Sequence, residues 1–485
     1  MSISKPIAMQ LAQRIHAFDT GSLTPKAQSR ALIGMIDTIG VTLIGAQEPC
    51  VAKLRKVLGG SDKGDATLIG LPGKASMLDA VLINGTSSHA LDYDDFSGVF
   101  GGHQSAPLVP ALLSLAEAEH FGGQAVLTAY AVGVETEIRL ARAVHFHHYD
   151  KGWHPTATLG TIGAAAATAH LMGLDQDQIA MALAIAVSHA AGVKANFGTM
   201  TKPLHVGMCS RAGLLSALLA REGFTANHAA FEHAQGFFEV FNGAGNYDPS
   251  KIFENWANPL ELEDDSIAIK PWPCCGSAHA AIAAALALRK AEKIIAADIA
   301  KIEVMPHPRR LRHTNTPHPI TPLEAKFSVQ YVVARALNDG AVKLAHFEPK
   351  AVADSGIHAL LNKLTATGHP DMSDSTASQW AAEVVVTLKD GRRVSHRIDD
   401  LMANAGSVPA ASSGMWNKFI DCADAALAEG KGAPLFERLE TFDSITDMAA
   451  LMSMLGGSTP RKDTGRIKAG TIEGCDVVAE THWVP

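Results

Sequence analysis

Glu383-Val-Val-Val-Thr-Leu-Lys-Asp-Gly-Arg-Arg-Val-Ser-His-Arg-Ile398 decides the fold class, because it reads as a β-hairpin in a chain whose first half reads as helices. Asp390-Gly391 is a turn dipeptide that tolerates positive φ at both central positions, and β-type runs flank it on either side. Working outward, Lys301-Ile302-Glu303-Val304 alternates polar and apolar residues like a strand. His279 to Lys293 and Leu323 to Leu337 carry helical patterns, with a Pro- and His-rich loop from Pro306 to Pro322 between strand and helix. Together these make a small α/β unit. It begins where the pattern changes near Ser266 and ends near Leu401, after which Trp416 to Leu427 and Ser444 to Leu455 are helical again.

The residues before this unit predict helix after helix. Thr24-Pro25 is an N-cap followed by proline at the first helical position, and Leu32, Met35, Ile36, Ile39 and Leu43 recur at helical spacing. Gly123 to Ala143, Thr156 to Leu171, Ile179 to Ala191 and Arg211 to Arg221 continue the pattern. Asp175 with Gln178 is a capping box. The expected fold is therefore mostly α: a large all-helical domain, discontinuous and built from both chain ends (1–265 and 402–485), with a smaller α/β lid domain (266–401) inserted. A length of 485 residues fits two domains.

Bulk properties narrow the function. A net charge of −8 gives no field that would attract nucleic acid or an anionic membrane. Six cysteines without a CxxC argue for a reducing compartment, and the N-terminus lacks a secretory h-region, so a cytoplasmic enzyme is expected. No Walker lysine, GxSxG or phosphate loop after a strand is present, and no metal or other cofactor is expected.

Four segments place ionisable groups beside Gly, Pro or Trp. His89-Ala-Leu-Asp-Tyr-Asp-Asp95, followed by Gly101-Gly-His103, crowds three carboxylates into four residues. These need solvent or cationic partners; a hard-metal site would want more oxygen ligands. In Gly152-Trp-His-Pro-Thr156, the proline places His154 at the entry to a helix, where an anion is also favoured. Thr201-Lys-Pro-Leu-His205 offers Lys202 as an anion anchor in a loop. Lys270-Pro-Trp-Pro-Cys-Cys-Gly-Ser-Ala-His279 joins the two domains, and adjacent Cys274 and Cys275 without a third cysteine do not suit zinc or an iron–sulfur cluster.

In this order and spacing the four segments, with Ala325-Lys-Phe-Ser-Val-Gln-Tyr331, resemble the MmgE/PrpD family over nearly the whole chain. That family includes 2-methylcitrate dehydratases, cis-aconitate decarboxylases and iminodisuccinate epimerase. The resemblance implies a homodimer of helical and lid domains with a pocket between them. It implies a cofactor-independent lyase, decarboxylase or dehydratase, acting on a small di- or tricarboxylic acid by proton transfer next to a carboxylate. By motif match the site falls on Asp92, His103, His154, Lys202, Lys270 and the Cys274-Cys275 region. Lys202 and Lys270 would hold carboxylates, His103 and His154 would transfer protons, and Asp92 would orient a histidine or act as a base. Cys274, Cys275 and His279 are placed with Lys270 among substrate-binding residues. Phe96-Ser97 stands where many members carry Thr, and the Pro273 to His279 run looks more like the decarboxylase and epimerase branches. An epimerase of a dicarboxylate is the nearest alternative, and a binding protein with a decayed pocket is the alternative of a different class.

Overall fold

The computed structural model describes residues 5–59, 64–312, 314–373, 378–401 and 413–457. Helices α1 (Ile7–Ala17), α2 (Pro25–Gly45) and α3 (Pro49–Val57) lead into a two-stranded ribbon, β1 (Ala66–Thr67) with β2 (Lys74–Ala75). Then come α4 (Met77–His89), strand β3 (Phe96–Ser97), α5 (Val109–Glu119), α6 (Gly123–Asp150), α7 (Pro155–Leu171), α8 (Gln176–His189) and α9 (Thr201–Arg221). A short helix, α10 (Phe237–Asn242), precedes β4 (Ile267–Ala268), which pairs antiparallel with β3.

Local chemistry explains these boundaries. Thr24 Oγ1 accepts the Ala27 amide at 3.1 Å and Pro25 opens α2, as the sequence predicts. Asp175 and Gln178 form the expected capping box at α8. Helix α9 starts ten residues earlier than expected, at Thr201, because Pro203 falls in the first turn, where a missing N–H costs nothing. Lys202 is therefore on a helix, not in a loop. Helix α6 runs on to Asp150 through a break at His145, whose φ of 49° is not helical.

The α/β part comprises α11 (His279–Glu292), β5 (Ile299–Pro306), α12 (Pro308–Leu311), α13 (Pro322–Lys326), α14 (Val329–Asp339), α15 (Pro349–Val352), α16 (Ser355–Leu361), β6 (Leu364–Ala366), β7 (Ala382–Leu388) and β8 (Arg393–Ile398). The expected single helix over Leu323 to Leu337 is two, because Ser328 Oγ accepts the Tyr331 amide at 3.0 Å and caps a new start. The sheet order is β6-β5-β7-β8, with β5 and β6 parallel and the other pairs antiparallel. The hairpin register runs from Ala382 opposite Ile398 to Thr387 opposite Arg393, and Leu388 meets Arg392 across a three-residue loop, Lys389 to Gly391, in which Gly391 takes the positive φ.

Helices α17 (Ser413–Ala426), α18 (Gly432–Glu440) and α19 (Met448–Leu455) come last, with α17 packed on α2 and α19 on α5. Residues 402–412 and 458–485 of the expected second helical segment lie outside the described residues. Buried apolar side chains form two large clusters: one drawn from α1 through Ile267 and from Met415 to Leu455, the other from Cys274 to Leu388. The fold is mostly α. No single helix among the described residues is long and apolar enough to cross a membrane.

Glycines set how closely α4 and α9 cross. A Cβ on Gly207 would lie 2.3 Å from Leu82 O, and one on Gly85 would lie 2.9 Å from Gly207 Cα. Only glycine lets the two helices touch backbone to backbone here. The crossing brings His89, at the end of α4, close to Lys202, at the start of α9.

Candidate active site

The three carboxylates that crowd the α4–β3 loop are each neutralised differently. Asp92 Oδ1 lies 2.7 Å from Lys202 Nζ, 3.2 Å from Lys270 Nζ and 3.5 Å from His103 Nε2. Burial alone would raise its pKa, but the Lys202 and Lys270 ammonium groups, with the imidazoles beside them, hold it well below the usual carboxylate range. Asp94 Oδ2 meets His89 Nδ1 at 2.8 Å and His103 Nδ1 at 3.0 Å, and is likewise held low against the effect of burial. Asp95 takes the other solution: burial, with Asp37 nearby, raises it well above the usual range, while Gln104 and Ser105 donate to it at 2.6 Å. Three buried carboxyl groups thus sit in four residues, two held low and one pushed up.

The imidazoles close one side. His89 and His103 have ring centroids 4.5 Å apart, and His89 and His154 5.8 Å. Since Asp94 is ionised, His89 Nδ1 must donate to it, which leaves Nε2 as a lone-pair acceptor; it is buried and has no hydrogen-bond partner among the described residues. Burial lowers the His89 pKa to about 4 despite Asp94, so the ring is neutral near pH 7. Burial, with His89 and Lys202 close by, also lowers His154. His154 is the residue before α7, as expected, with its Nδ1 3.3 Å from His205 Nδ1. The His103 amide donates to Thr156 Oγ1 at 3.0 Å, fixing its loop on the first turn of α7.

The structure therefore brings together Asp92, His103, His154, Lys202 and Lys270, and adds His89 and Asp94. Cys274, Cys275 and His279 follow Lys270 in the same stretch, and Cys274 and His279 lie within electrostatic reach of Lys270 and Asp92. Cys274 belongs to the apolar cluster of the α/β part, and burial raises its thiol pKa. His279 faces back to Cys274 O at 3.3 Å and packs edge-on against Trp272. Cys275 is tied to α13 through its amide, 3.0 Å from Lys326 O. Sequence reasoning missed Lys326 and Lys418 as well. Lys326 lies in the quoted Ala325–Tyr331 run, but Lys418 has no motif around it.

Ligand-type atoms of His89, Asp92, Asp94 and His103 lie within 4.8 Å of one another, close enough to hold a cation. Two ammonium groups already share Asp92 Oδ1, which suits the cluster to anions and protons better than to a divalent ion. A cavity of about 1020 Å³ lies beyond the β3–β4 ribbon, lined by Arg139, Arg142, His145, Arg310 and Trp380 among others. None of the clustered acids, histidines or lysines lines it, so the chemistry we assign to the cluster is not placed there.

Fold and site together define an enzyme, with buried acid, imidazole and ammonium groups gathered where a helix crossing meets the start of the α/β part. The MmgE/PrpD N-terminal domain model matches residues 9–250 and the MmgE/PrpD C-terminal domain model matches residues 272–436. The chain belongs to the MmgE/PrpD family, and is a lyase of that family. It is 29% identical over 469 residues to cis-aconitate decarboxylase of Homo sapiens, covering 94% of this chain and 96% of that one. It is 25% identical over 458 residues to cis-aconitate decarboxylase of Aspergillus terreus, covering 90% and 93%. To 2-methylcitrate dehydratase of Cupriavidus necator it is 29% identical over 245 residues, covering 47% and 49%.

Proposed function

We propose that the chain is a cofactor-independent lyase acting on a small di- or tricarboxylic acid, cis-aconitate first among the candidates, by proton transfer next to a carboxylate. The observation that carries this reading is the Asp92 carboxylate, buried and shared by Lys202 and Lys270 with His103 beside it. Asp92 occupies the place of an anion; a substrate carboxylate entering the site would share the same two ammonium groups. Decarboxylation breaks the bond from a carboxylate carbon to its neighbour and releases carbon dioxide. The electron pair left behind forms the new double bond, the old double bond supplies a pair to its far carbon, and one proton quenches it there. Lys202 and Lys270 stabilise the charge that builds up. His103, whose two ring nitrogens face Asp94 and Asp92, is the group assigned to deliver the proton, with the His89 ring packed against it and His154 beyond His89.

Relatives matched end to end are cis-aconitate decarboxylases, whereas the dehydratase matches over half its length, which favours loss of carbon dioxide over loss of water. The site is nearly closed, with Lys202 8% and His154 2% exposed, so substrate entry calls for movement, and the α/β part is assigned as the lid. A homodimer in the cytoplasm completes the proposal. The test is incubation with cis-aconitate, 2-methylcitrate and iminodisuccinate in deuterated water, with products read by NMR. The expected result is carbon dioxide loss from cis-aconitate with one deuterium in the product. Deuterium exchange without bond cleavage would replace the lyase with an epimerase, and no turnover of any of the three would refute the substrate class.

A further inference from the structure

The loop that carries Asp92 is gripped in a way the proposed chemistry does not use. Three consecutive backbone carbonyls each accept a hydrogen bond from a different buried lysine. Lys326 Nζ donates to Leu91 O at 3.0 Å, Lys270 Nζ to Asp92 O at 2.7 Å, and Lys418 Nζ to Tyr93 O at 2.8 Å. The donors come from α13, from the segment before α11 and from α17, so parts of the chain far apart in sequence meet on one tripeptide. All three lysines are at most 8% exposed. Burying an ammonium group is costly, and although Lys270 and Lys418 also meet the carboxylates of Asp92 and Asp37, each of the three donates to a backbone carbonyl of the same tripeptide.

The grip coincides with backbone strain. Asp92 has a φ of +53°, a left-handed conformation that is unfavourable for a non-glycine residue and persists where the surroundings enforce it. That conformation aims the Asp92 side chain at Lys202 and His103. Lys418 is itself steadied by Asp37 Oδ1 at 2.6 Å and lies over the Tyr93 ring at 4.0 Å. Lys326 and Lys418 do not touch the Asp92 carboxylate; they hold the carbonyls on either side of it.

We propose that Lys326 and Lys418 are positioning residues that clamp the Leu91–Tyr93 backbone and so keep Asp92 in its strained, productive conformation. The inference rests on the reading of Asp92 as part of the reacting site, and the experiment separates the two. Lys326→Met and Lys418→Met keep the stem volume and remove the donor. Asp37→Asn/Lys418→Met removes the ion pair as well, so that no buried charge is left alone. Two readouts are taken on each: steady-state kinetics on cis-aconitate, and hydrogen–deuterium exchange of the amides from His89 to Asp95 against those of α6. The clamp predicts faster exchange confined to the loop, with kcat down about tenfold to a hundredfold and KM little changed, as expected when the carboxylate that orients Lys202 and His103 is misplaced. Loop exchange equal to wild type in all three variants would overturn the clamp, as would recovery of wild-type exchange and kcat in the double variant, since Lys418 would then serve only to neutralise Asp37. Faster loop exchange with unchanged kcat would keep the clamp and overturn the role given to Asp92.

Discussion

Replacing Lys202 by methionine removes the ammonium group that lies 5.0 Å over the Phe197 ring while keeping most of the apolar stem. The deleted contact is a 2.7 Å charge-assisted hydrogen bond between groups 8% and 6% exposed. Such bonds contribute about 1.5–3 kcal/mol. Lys270 stays 3.2 Å from the same oxygen, so Asp92 keeps a partner and the larger penalty of an orphaned buried charge does not apply. The sequence alone suggests that the fold would hardly notice, because a cavity-lining lysine packs little; burial against Asp92 corrects this, and the melting temperature should fall by a few degrees. On the reaction, loss of a carboxylate contact worth about 2–3 kcal/mol lowers kcat/KM by roughly 30- to 160-fold. Kinetics are measured well below the variant's melting temperature, with circular dichroism confirming the folded state. A kcat/KM close to that of wild type under those conditions would show that Lys202 does not hold the substrate, and the site assignment would fail.

His154→Gln should lower kcat by about a hundredfold with KM little changed, as for a proton-transfer group; a change in KM alone would reassign it to binding. Buried neutral imidazoles should make the protein less stable in acid, against the buried acids Asp95 and Glu137, whose raised pKa values work the other way. His89 and His148 are lowered by burial to about 4 and His279 to about 3, against about 6.5 in an unfolded chain, so the unfolded state binds more protons between those values. The stability these rings contribute is complete above pH 6.5 and is lost as pH falls toward 4; over that window the urea midpoint of wild type should fall relative to that of His148→Gln, and parallel profiles for the two would contradict neutral burial of His148. Exhaustive chelation should leave turnover unchanged. Activity lost to chelator and restored by one divalent metal would instead turn His89, Asp92, Asp94 and His103 into a metal centre.

Signals that act over a few residues were legible. Thr24-Pro25, the Asp175–Gln178 box and the Asp390-Gly391 turn each appear where the sequence puts them, because caps and tight turns are settled by neighbours in the chain. The start of α9 was not, since a proline in a first turn looks the same as one in a loop. The break at Ser328 was hidden for a similar reason: a serine inside an apolar helical period shows its capping role only once the Tyr331 amide turns to it. Within the site, the Asp92, His103, His154 and Lys202 segments stood out because charge beside Gly, Pro or Trp is locally anomalous. Lys418 did not stand out, since it lies in an ordinary amphipathic helix and acquires meaning only from Asp37 and Tyr93, hundreds of residues away in the chain.

The glycine contact between α4 and α9 makes the active-site gauge depend on atoms that are absent. The distance from His89 to Lys202 is set by how closely two bare backbones can lie, at Gly85 and Gly207, a helical turn away from any reacting group. A single methyl at position 207 would have to displace Leu82 O or Thr86, both part of α4, and would move the lysine-bearing end of α9 outward as a rigid lever. The aperture between anion anchor and imidazoles would widen with every ionisable residue still in place. Substrate size in this scaffold can therefore change through positions that carry no chemistry, and a comparison restricted to the charged residues would find two such enzymes identical.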